Sequence, residues 1–322
     1  MPKSQNMPDR NLRILFGGTP DFAAAHLKHL LDRGYNVVGV YTQPDRISGR
    51  GRKLTPSPVK ELALERGLPV AQPENFQTEA SIEEFASFRP DLFVVVAYGI
   101  ILPRAVLDMP SKGCINVHGS LLPKYRGAAP IQRSIFFGDR QTGVTIMQMN
   151  EGLDTGDIIL SKSLEILPDD TTESLFRRLE PVGCTALTEA IESIAAGTAA
   201  RVPQNESDAT YARKITKEEA KINFREPADM ICRRVRTYIP WPGAFIRVGS
   251  QNVKILKASV TENAMGLGAG TVISLDRNGI AVAAGYNAVL LETLQFPGKK
   301  PASAADIING RRELFMPGTV FE

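Results

Sequence analysis

Two polar side chains near the end of a predicted strand have residue types and a spacing that suit proton transfer. In "GCINVHG" (113–119), Asn116 and His118 are two residues apart, so a strand presents both side chains on one face. An amide can donate a hydrogen bond to a developing oxyanion, and an imidazole can accept and release a proton near neutral pH. This spacing alone supports a packed strand end and a catalytic pair about equally.

Asp154 is a third candidate, in the segment "NEGLDTGDII" (150–159), where Gly152 and Gly156 flank it. Aspartate commonly occupies turns, so a plain hairpin turn is one interpretation. In the other, Asp154 lies beside His118, where a carboxylate would fix the imidazole tautomer and favour its protonated form. An amide, an imidazole and a carboxylate together could perform acyl transfer without a nucleophile from the protein.

Motifs for several other kinds of site are absent from the sequence. Ser120 is close to His118, but no G-x-S-x-G surrounds it, which disfavours a serine hydrolase. There is no H-x-x-x-H pair, and three well-spaced zinc ligands cannot be found, so we expect no metal. No C-x-x-C pair exists, and the three cysteines lie too far apart to suggest a disulfide framework: Cys114, Cys184 and Cys232.

The glycines of "FGGTPDF" (16–22) invite a nucleotide-binding interpretation, which the details do not support. The third glycine of the dinucleotide fingerprint is missing, and Pro20 lacks the backbone N–H that a phosphate could use. No Walker motif occurs either. The segment is interpreted as a tight strand-to-helix turn, which could line a pocket without binding a phosphate.

Strands and helices alternate through the region that would position these residues. Such alternation is typical of a parallel, doubly wound α/β sheet, whose ligands bind at the carboxyl ends of the strands. The predicted strands are 12–18, 36–43, 92–102, 113–119, 143–150 and 157–166. The predicted helices are 21–34, 56–66, 79–88, a short one after Pro103, 129–138, and 171–197 with a kink at Pro181.

The pattern changes near residue 198. We expect an N-terminal domain over 1–197, a linker over 198–222 and a smaller domain over 223–322. The last contains a helix at 228–238, several short β segments separated by turns, and a final helix in "SAADIINGRREL". Several short strands at this spacing predict a small barrel or sandwich.

Basic residues cluster in two places, although the net charge is only +3. A segment predicted to be a loop, 46–60, contains no acid and five cations: Arg46, Arg50, Arg52, Lys53 and Lys60. It is either a solvated mobile loop or a contact for the phosphates of a nucleic acid. A second group lies in the smaller domain: Arg233, Arg234 and Arg236 on the helix, with Lys254, Lys257, Lys299 and Lys300 in or near the strands.

The bulk composition is that of a soluble globular protein, with 43% apolar and 23% charged residues. No apolar run is long enough to cross a bilayer, and the first residues lack the apolar stretch of a signal peptide, so we expect no membrane association. The cysteine pattern favours a reducing cytoplasm. No amphipathic seam suggests obligate assembly, and we expect a monomer.

Two long segments carry a resemblance to a known family. "INVHGSLLPKYRGAAPIQRSI" followed by "GVTIMQMNEGLDTGDII" resembles the formyltetrahydrofolate-dependent formyltransferases. The likeness extends over nearly the whole chain, through "GTPDFA", "TQPDRISGRGRKLTPSPVK", "VVVAYGIILP", "YARKITKEEAKI", "WPGAF" and "FPGKK". It implies a Rossmann-like parallel-sheet domain joined by the linker to an OB-like β-barrel.

The resemblance also implies roles for particular residues. It implies a catalytic set of Asn116, His118 and Asp154, with 10-formyltetrahydrofolate as the formyl donor and methionyl initiator tRNA as the acceptor. The implied folate contacts are Ser120, Leu121, Leu122 and Pro123, and a pterin pocket bordered by Val95, Ala97, Tyr98 and Ile100. It assigns the basic segment to the tRNA acceptor stem through Arg50 first and then Arg46, Arg52 and Lys53, although Ile47 stands where relatives often have proline.

Overall fold

The computed structural model describes residues 11–48 and 53–321, and these form two compact units. The first unit comprises the described residues up to Pro130, Thr142–Leu164 and Phe176–Ala212. The second comprises Ile131–Gln141, Glu165–Leu175 and the described residues from Arg213 onward. Within the segment predicted to be a linker, the division falls between Ala212 and Arg213.

Nine strands and six helices precede residue 200 in the described chain. The strands are β1 (Ile14–Gly18), β2 (Val37–Tyr41), β3 (Arg46–Ser48), β4 (Lys53–Thr55), β5 (Val70–Ala71), β6 (Leu92–Val96), β7 (Cys114–His118), β8 (Gln141–Gln148) and β9 (Ile158–Glu165). The helices are α1 (Asp21–Asp32), α2 (Pro58–Glu65), α3 (Glu79–Ser87), α4 (Arg104–Leu107), α5 (Pro130–Phe137) and α6 (Thr172–Ala195). The predicted elements are therefore confirmed in type, and α6 continues through Pro181.

Seven of these strands form one sheet in the order β5-β2-β1-β6-β7-β8-β9. The predicted parallel arrangement is confirmed from β5 to β7. All five residues of β1 and of β6 are buried, because helices cover both faces of a parallel sheet. Strand β8 is antiparallel to β7, with Ile115 opposite Gln148 and His118 opposite Thr145. The chain consequently leaves β8 beside the start of β7, not beside its end.

The predicted strand at 92–102 is too long. Strand β6 ends at Val96, and Ala97 and Gly99 have φ angles of +46° and +78°, which an extended strand cannot contain. The side chains of Tyr98 and Leu102 nevertheless remain in the core. The apolar run therefore indicated burial, which a tightly folded segment and a strand can both provide.

Short polar side chains determine where several helices begin. The hydroxyl of Ser57 accepts a hydrogen bond from Lys60 N at the start of α2, and that of Thr78 accepts one from Ser81 N at the start of α3. Such caps satisfy N–H groups that have no partner within the helix, and each contributes about 1 kcal/mol to stability.

The second unit contains a curled antiparallel sheet, as expected for the smaller domain. Its strands are β10 (Phe245–Val248), β11 (Gln251–Thr261), β12 (Val272–Leu275), β13 (Ile280–Ala283), β14 (Ala288–Gln295) and β15 (Ala302–Ser303). Their order is β10-β11-β14-β13-β12, with β15 on β14, and the β11–β14 register shifts near Lys257. Such irregularities bend a strand and increase its twist. The helices are α7 (Ala228–Thr237) and α8 (Ala304–Arg311), and α7 packs on β11.

His26 is a buried titratable group in the first unit. Its Nδ1–H donates to the carbonyl of Phe22 at 2.7 Å, and within the described chain its Nε2 has no hydrogen-bond partner. Gly183 of α6 makes room for the ring, because a Cβ there would lie 2.5 Å from Nε2. Burial lowers the pKa of His26 from 6.5 to about 4, partly offset by the Phe22 bond, and the charge of His29 lowers it further.

We predict that His26→Leu makes the protein less sensitive to acid. Below pH 6.5 the unfolded chain takes up a proton that the folded state excludes until about pH 4, so stability falls across this window, by about 3 kcal/mol at most. Urea unfolding at pH 7 and pH 4.5 measures the loss in each variant. In the His29→Leu control, the loss of stability between pH 7 and pH 4.5 should stay closer to that of wild type, because His29 is only partly buried. Equal losses in wild type and His26→Leu would contradict this prediction.

Candidate active site

Asn116 and His118 lie on β7, where the period of the strand places both on one face. Asn116 is half-buried, and no hydrogen bond joins its side-chain amide to any residue that the structure describes. His118 is 5% exposed and is the last residue of the strand. The amide is therefore available to a ligand, while the imidazole is held by its surroundings.

The orientation of His118 is set by a carbonyl from the turn after β7. Nε2 lies 2.9 Å from the backbone oxygen of Tyr125. A carbonyl oxygen can only accept, so Nε2 carries the proton in this contact, and Nδ1 is the nitrogen that can exchange one. We expected Asp154 to fix the tautomer, but the Tyr125 carbonyl does so in this structure.

The turn between β7 and α5 is held by several short contacts. Ser120 Oγ donates to the carbonyl of Lys124 at 2.6 Å, and the N–H of Leu122 donates to Thr145 Oγ1 at 3.1 Å. Tyr125 has a φ of +63°, which directs its carbonyl toward His118. The Leu122 bond, together with a hydrogen bond that the Thr145 hydroxyl donates to the carbonyl of Ser120, ties the turn to β8 and so positions the Tyr125 oxygen.

Asp154 reaches His118 from the loop between β8 and β9. Its Oδ2 accepts a hydrogen bond from Gly127 N at 2.7 Å and lies 3.7 Å from His118 Nδ1. The second distance is too long for a hydrogen bond, but it is short enough for the carboxylate to stabilise a positively charged ring. The loop begins level with Ile115, so the chain turns back along β7 to bring Asp154 to the level of His118.

The base of this loop is tightly packed. A Cβ on Gly156 would lie 1.6 Å from the carbonyl oxygen of Gln148. The N–H of Gln148 also donates to the carbonyl of Asp157 at 2.9 Å. Only glycine allows these two backbone segments to approach so closely, and this approach directs the loop back toward β7.

The residues that the resemblance assigns to folate lie in two segments with different exposure. Ser120 and Leu122 are buried, and the Ser120 hydroxyl is already used by Lys124, whereas Leu121 and Pro123 are half-buried. Direct contacts of these four residues with folate stay predictions. Ser120 and Leu122 shape the turn that holds His118.

The second folate segment offers backbone groups. The side chains of Val95 and Tyr98 belong to the core, Ala97 is exposed, and Ile100 is half-buried. Within the described chain, the N–H groups of Ile100, Ile101 and Leu102 make no hydrogen bond to the protein. Contacts of this segment with a pterin stay a prediction.

Thr19 and Gln43 hold the second folate segment. The carbonyl of Tyr98 accepts from Gln43 Nε2 at 2.8 Å and from Thr19 Oγ1 at 3.2 Å. The preceding glycines serve packing: a Cβ on Gly17 would lie 2.7 Å from the Phe93 ring. The turn "FGGTPDF" thus supports this segment through Thr19.

The described residues of the basic segment 46–60 form two paired strands and the start of α2, where the sequence predicted a loop. Strands β3 and β4 pair with Ile47 opposite Leu54, because alternating residues allow a two-stranded ladder. The guanidinium of Arg46 donates to Gln43 Oε1, and Lys60 Nζ lies 2.7 Å from Asp45 Oδ2. Arg50, Arg52 and the side chain of Lys53 lie outside the described residues.

The arginines of α7, which belong to the second group of basic residues, are bound within the protein. Arg234 forms two hydrogen bonds to the carboxylate of Glu226, and its guanidinium carbon lies 4.7 Å from the centre of the Phe136 ring. Arg233 pairs with Asp229 at 2.8 Å. Arg236 donates to a backbone carbonyl at 3.0 Å. An amphipathic helix buries arginine stems as readily as aliphatic side chains, so the charge count overestimated the free cations.

The cysteines are buried free thiols, and burial raises their pKa, to about 12 for Cys114 and Cys184 and to about 11 for Cys232. None is therefore a thiolate nucleophile at neutral pH. Across the described ranges, no three His, Cys, Asp or Glu side chains are grouped to hold a metal ion. No helix in those ranges is both long and apolar enough to span a bilayer.

These features define a class of protein: an α/β enzyme with an amide, an imidazole and a carboxylate at the end of a sheet strand, suited to acyl transfer. Sequence comparison identifies the family. The formyl transferase model matches residues 10–191, and the model of the formyl transferase C-terminal domain matches residues 214–312. The chain belongs to the formyl transferase family, which confirms the predicted resemblance.

Known relatives agree with this assignment. The methionyl-tRNA formyltransferase of Marinobacter nauticus is 50% identical over 307 residues, which cover 95% of this chain and 99% of that protein. An N-formyltransferase from Helicobacter canadensis, solved with folinic acid and dTDP-3-aminofucose, has a TM-score of 0.64 at 19% identity, over 88% of this chain and 99% of its own. A methionyl-tRNA formyltransferase from Clostridium thermocellum has a TM-score of 0.56 at 18% identity, over 78% and 94%. Both structures share the fold.

We predict that Gly156→Ala destabilises the protein by about 1–3 kcal/mol, because the added methyl forces the base of the Asp154 loop apart. Urea unfolding measures the change. Gly268→Ala is the matched control, since its Cβ would meet no atom within 4 Å. Equal stability of Gly156→Ala and wild type would contradict this prediction, because it would show that the backbone at Gln148 and Gly156 can move apart without cost.

Proposed function

We propose that the protein transfers a formyl group from 10-formyltetrahydrofolate to the α-amino group of methionyl initiator tRNA, which gives N-formylmethionyl-tRNA for translation initiation. The observation that carries this proposal is the grouping of Asn116 with His118 and Asp154 in a member of the formyl transferase family. Within the described chain, the side-chain amide of Asn116 has no hydrogen-bond partner. The acceptor follows from the relative that is 50% identical over 95% of the chain.

Three side chains divide the chemistry in this proposal. The amide of Asn116 donates to the oxygen of the formyl group as negative charge develops there. Nδ1 of His118 accepts the proton of the attacking amine and passes it to the folate nitrogen, whose bond to the formyl carbon breaks. The carboxylate of Asp154 stabilises the ring while it holds the extra proton. Tyr125 keeps Nε2 protonated throughout, so that Nδ1 alone exchanges the proton.

The folate supplies the activated formyl group, and the chain supplies the groups that bind it. Free N–H groups at Ile100, Ile101 and Leu102 would bind the edge of the pterin. The exposed side chain of Ile101, 90% accessible in the described chain, would lose contact with water on binding. Contacts from Ser120–Pro123 and from Val95, Ala97, Tyr98 and Ile100 are part of this proposal.

The acceptor is recognised by charge in this proposal. Arg46 belongs to β3 and Lys53 to β4, and Arg50 and Arg52 fall between these strands in the sequence. These four cations would contact the phosphates of the acceptor stem. An amino sugar as acceptor is the alternative, since the Helicobacter canadensis structure contains dTDP-3-aminofucose. An RNA-binding module without activity is a third interpretation, which the grouping of His118 with Asp154 disfavours.

The proposal has two further parts. The protein acts as a monomer in the cytoplasm, and residues 198–222 link its two domains.

We predict that His118→Ala and Asp154→Ala each lower kcat by about 10²–10⁴-fold, the usual contribution of a general acid–base group. Release of tetrahydrofolate in the presence of charged initiator tRNA measures turnover, and the same assay with free amino sugars tests the other acceptor. Glu151→Ala is the matched control, an exposed carboxylate in the same loop. Near-normal turnover of either site variant would remove the mechanism.

We predict that Arg50→Ala raises the KM for tRNA and leaves kcat within about twofold. Loss of one phosphate contact should also reduce the salt dependence of binding by about one counterion. Arg104→Ala is the control, because Arg104 is exposed and its one ion pair in the described chain, with Asp108 at the end of α4, is exposed too. An unchanged KM together with an unchanged salt slope would remove Arg50 from the tRNA contact.

A further inference from the structure

Gln204, in the segment between the two family models, is hydrogen-bonded to the loop that carries Asp154. Its Nε2 donates to the carbonyl of Asp154 at 2.8 Å and to that of Gly156 at 2.7 Å. Its Oε1 accepts from Nε and Nη2 of Arg126 at 3.0 and 2.9 Å. One amide group thus joins the carboxylate loop to the turn after β7 and uses its donors and acceptor in full.

Arg126 fixes the position of Gln204. Its guanidinium is fully buried and forms a bidentate pair with Glu206, both contacts measuring 2.8 Å. The hydrogen bonds from Arg126 lower the pKa of Glu206. A buried charge is costly unless it is paired and hydrogen-bonded, and the contacts of Arg126 with Glu206 and Gln204 meet both conditions.

Residues 210–212, which follow Gln204 and Glu206, also bind the turn after β7. Arg126 N donates to Thr210 O at 2.8 Å, Ala212 N donates to Arg126 O at 2.7 Å, and Tyr125 N donates to the Thr210 hydroxyl at 2.9 Å. A Cβ on Gly127 would lie 2.9 Å from the Ala212 carbonyl. The segment therefore holds Tyr125, which orients His118, and Gly127, which binds the Asp154 carboxylate.

The backbone of Asp154 needs such support. Its φ of +54° is unfavourable for a residue with a Cβ by about 1–2 kcal/mol. Strained conformations persist where the surroundings hold them, and here the Gln204 amide binds the carbonyl of that residue. Both family models stop short of this segment, since they cover 10–191 and 214–312.

We propose that Gln204, anchored by Arg126 and Glu206, is a positioning residue that holds the Asp154 carboxylate against His118, so that residues 204–212 complete the catalytic site. This inference rests on the proposed function, because it assumes that Asp154 and His118 act together. Gln204 itself touches neither substrate. Its effect passes through the Asp154 carbonyl to the carboxylate.

Gln204→Met tests this role, because methionine keeps the length of the side chain and removes all four hydrogen bonds. We expect kcat to fall by about 10–100-fold, as for a small misplacement of a reacting group, with the KM for methionyl initiator tRNA within about twofold. Glu206→Gln weakens the anchor while the exposed side chain keeps its size, and it should lower kcat by a smaller factor. Gln77→Met, at an exposed position, is the matched control and should retain wild-type kcat.

A double-mutant cycle separates positioning from general loss of structure. In the Asp154→Asn background, Gln204→Met should cause no further loss of kcat, because the group that it positions is gone. Additive losses, or a wild-type kcat for Gln204→Met beside an inactive Asp154→Asn, would overturn the positioning role alone. Near-normal turnover of Asp154→Asn itself would instead overturn the proposed function.

Discussion

The carboxylate of Asp154 lies between a backbone donor and an imidazole, and the arrangement of the first unit depends on keeping it there. Gly127 N holds one oxygen at 2.7 Å, and His118 Nδ1 faces the same oxygen at 3.7 Å. The first contact removes freedom from the carboxylate, and the second places its charge beside the ring. In the proposed reaction, a charge fixed in this way needs no reorganisation, which is the condition for electrostatic stabilisation.

The groups around this pair come from three separate stretches of chain. Strand β7 supplies Asn116 and His118, the turn after it supplies the Tyr125 carbonyl and the Gly127 N–H, and the loop after β8 supplies Asp154. Since β8 is antiparallel to β7, this loop begins at the wrong end of the strand and has to turn back. The close approach at Gly156 and the hydrogen bonds from Gln204 stabilise that return.

Positive charge in this chain serves two different purposes. Arg126 forms a bidentate pair with Glu206, and Arg234 forms one with Glu226. These pairs stabilise the folded protein. Arg46, by contrast, lies on a hairpin that also exposes Ile47 and Leu54. A modest net charge of +3 therefore says little about RNA binding, because the cations that matter are those left without a carboxylate partner.

Local patterns in the sequence were enough to predict most helices and strands and the paired face of Asn116 and His118. They left Asp154 open between a plain turn and a partner of His118, and only the family resemblance favoured the second. Periodicity, caps and turns act over a few residues, so they can be read without the fold. The length of the strand predicted from Leu92 was wrong, because an apolar run indicates burial and not the shape of the backbone.

Tertiary structure alone decided how those residues are held. The sequence does not reveal that Tyr125, seven residues along the chain, fixes the tautomer of His118, or that Gln204, 50 residues from Asp154, holds its loop. The segment containing Gln204 reads as a linker because its residues are polar and lack periodicity. Its polar groups bind the backbone of distant loops, and such contacts depend on where the chain returns, which no local pattern encodes.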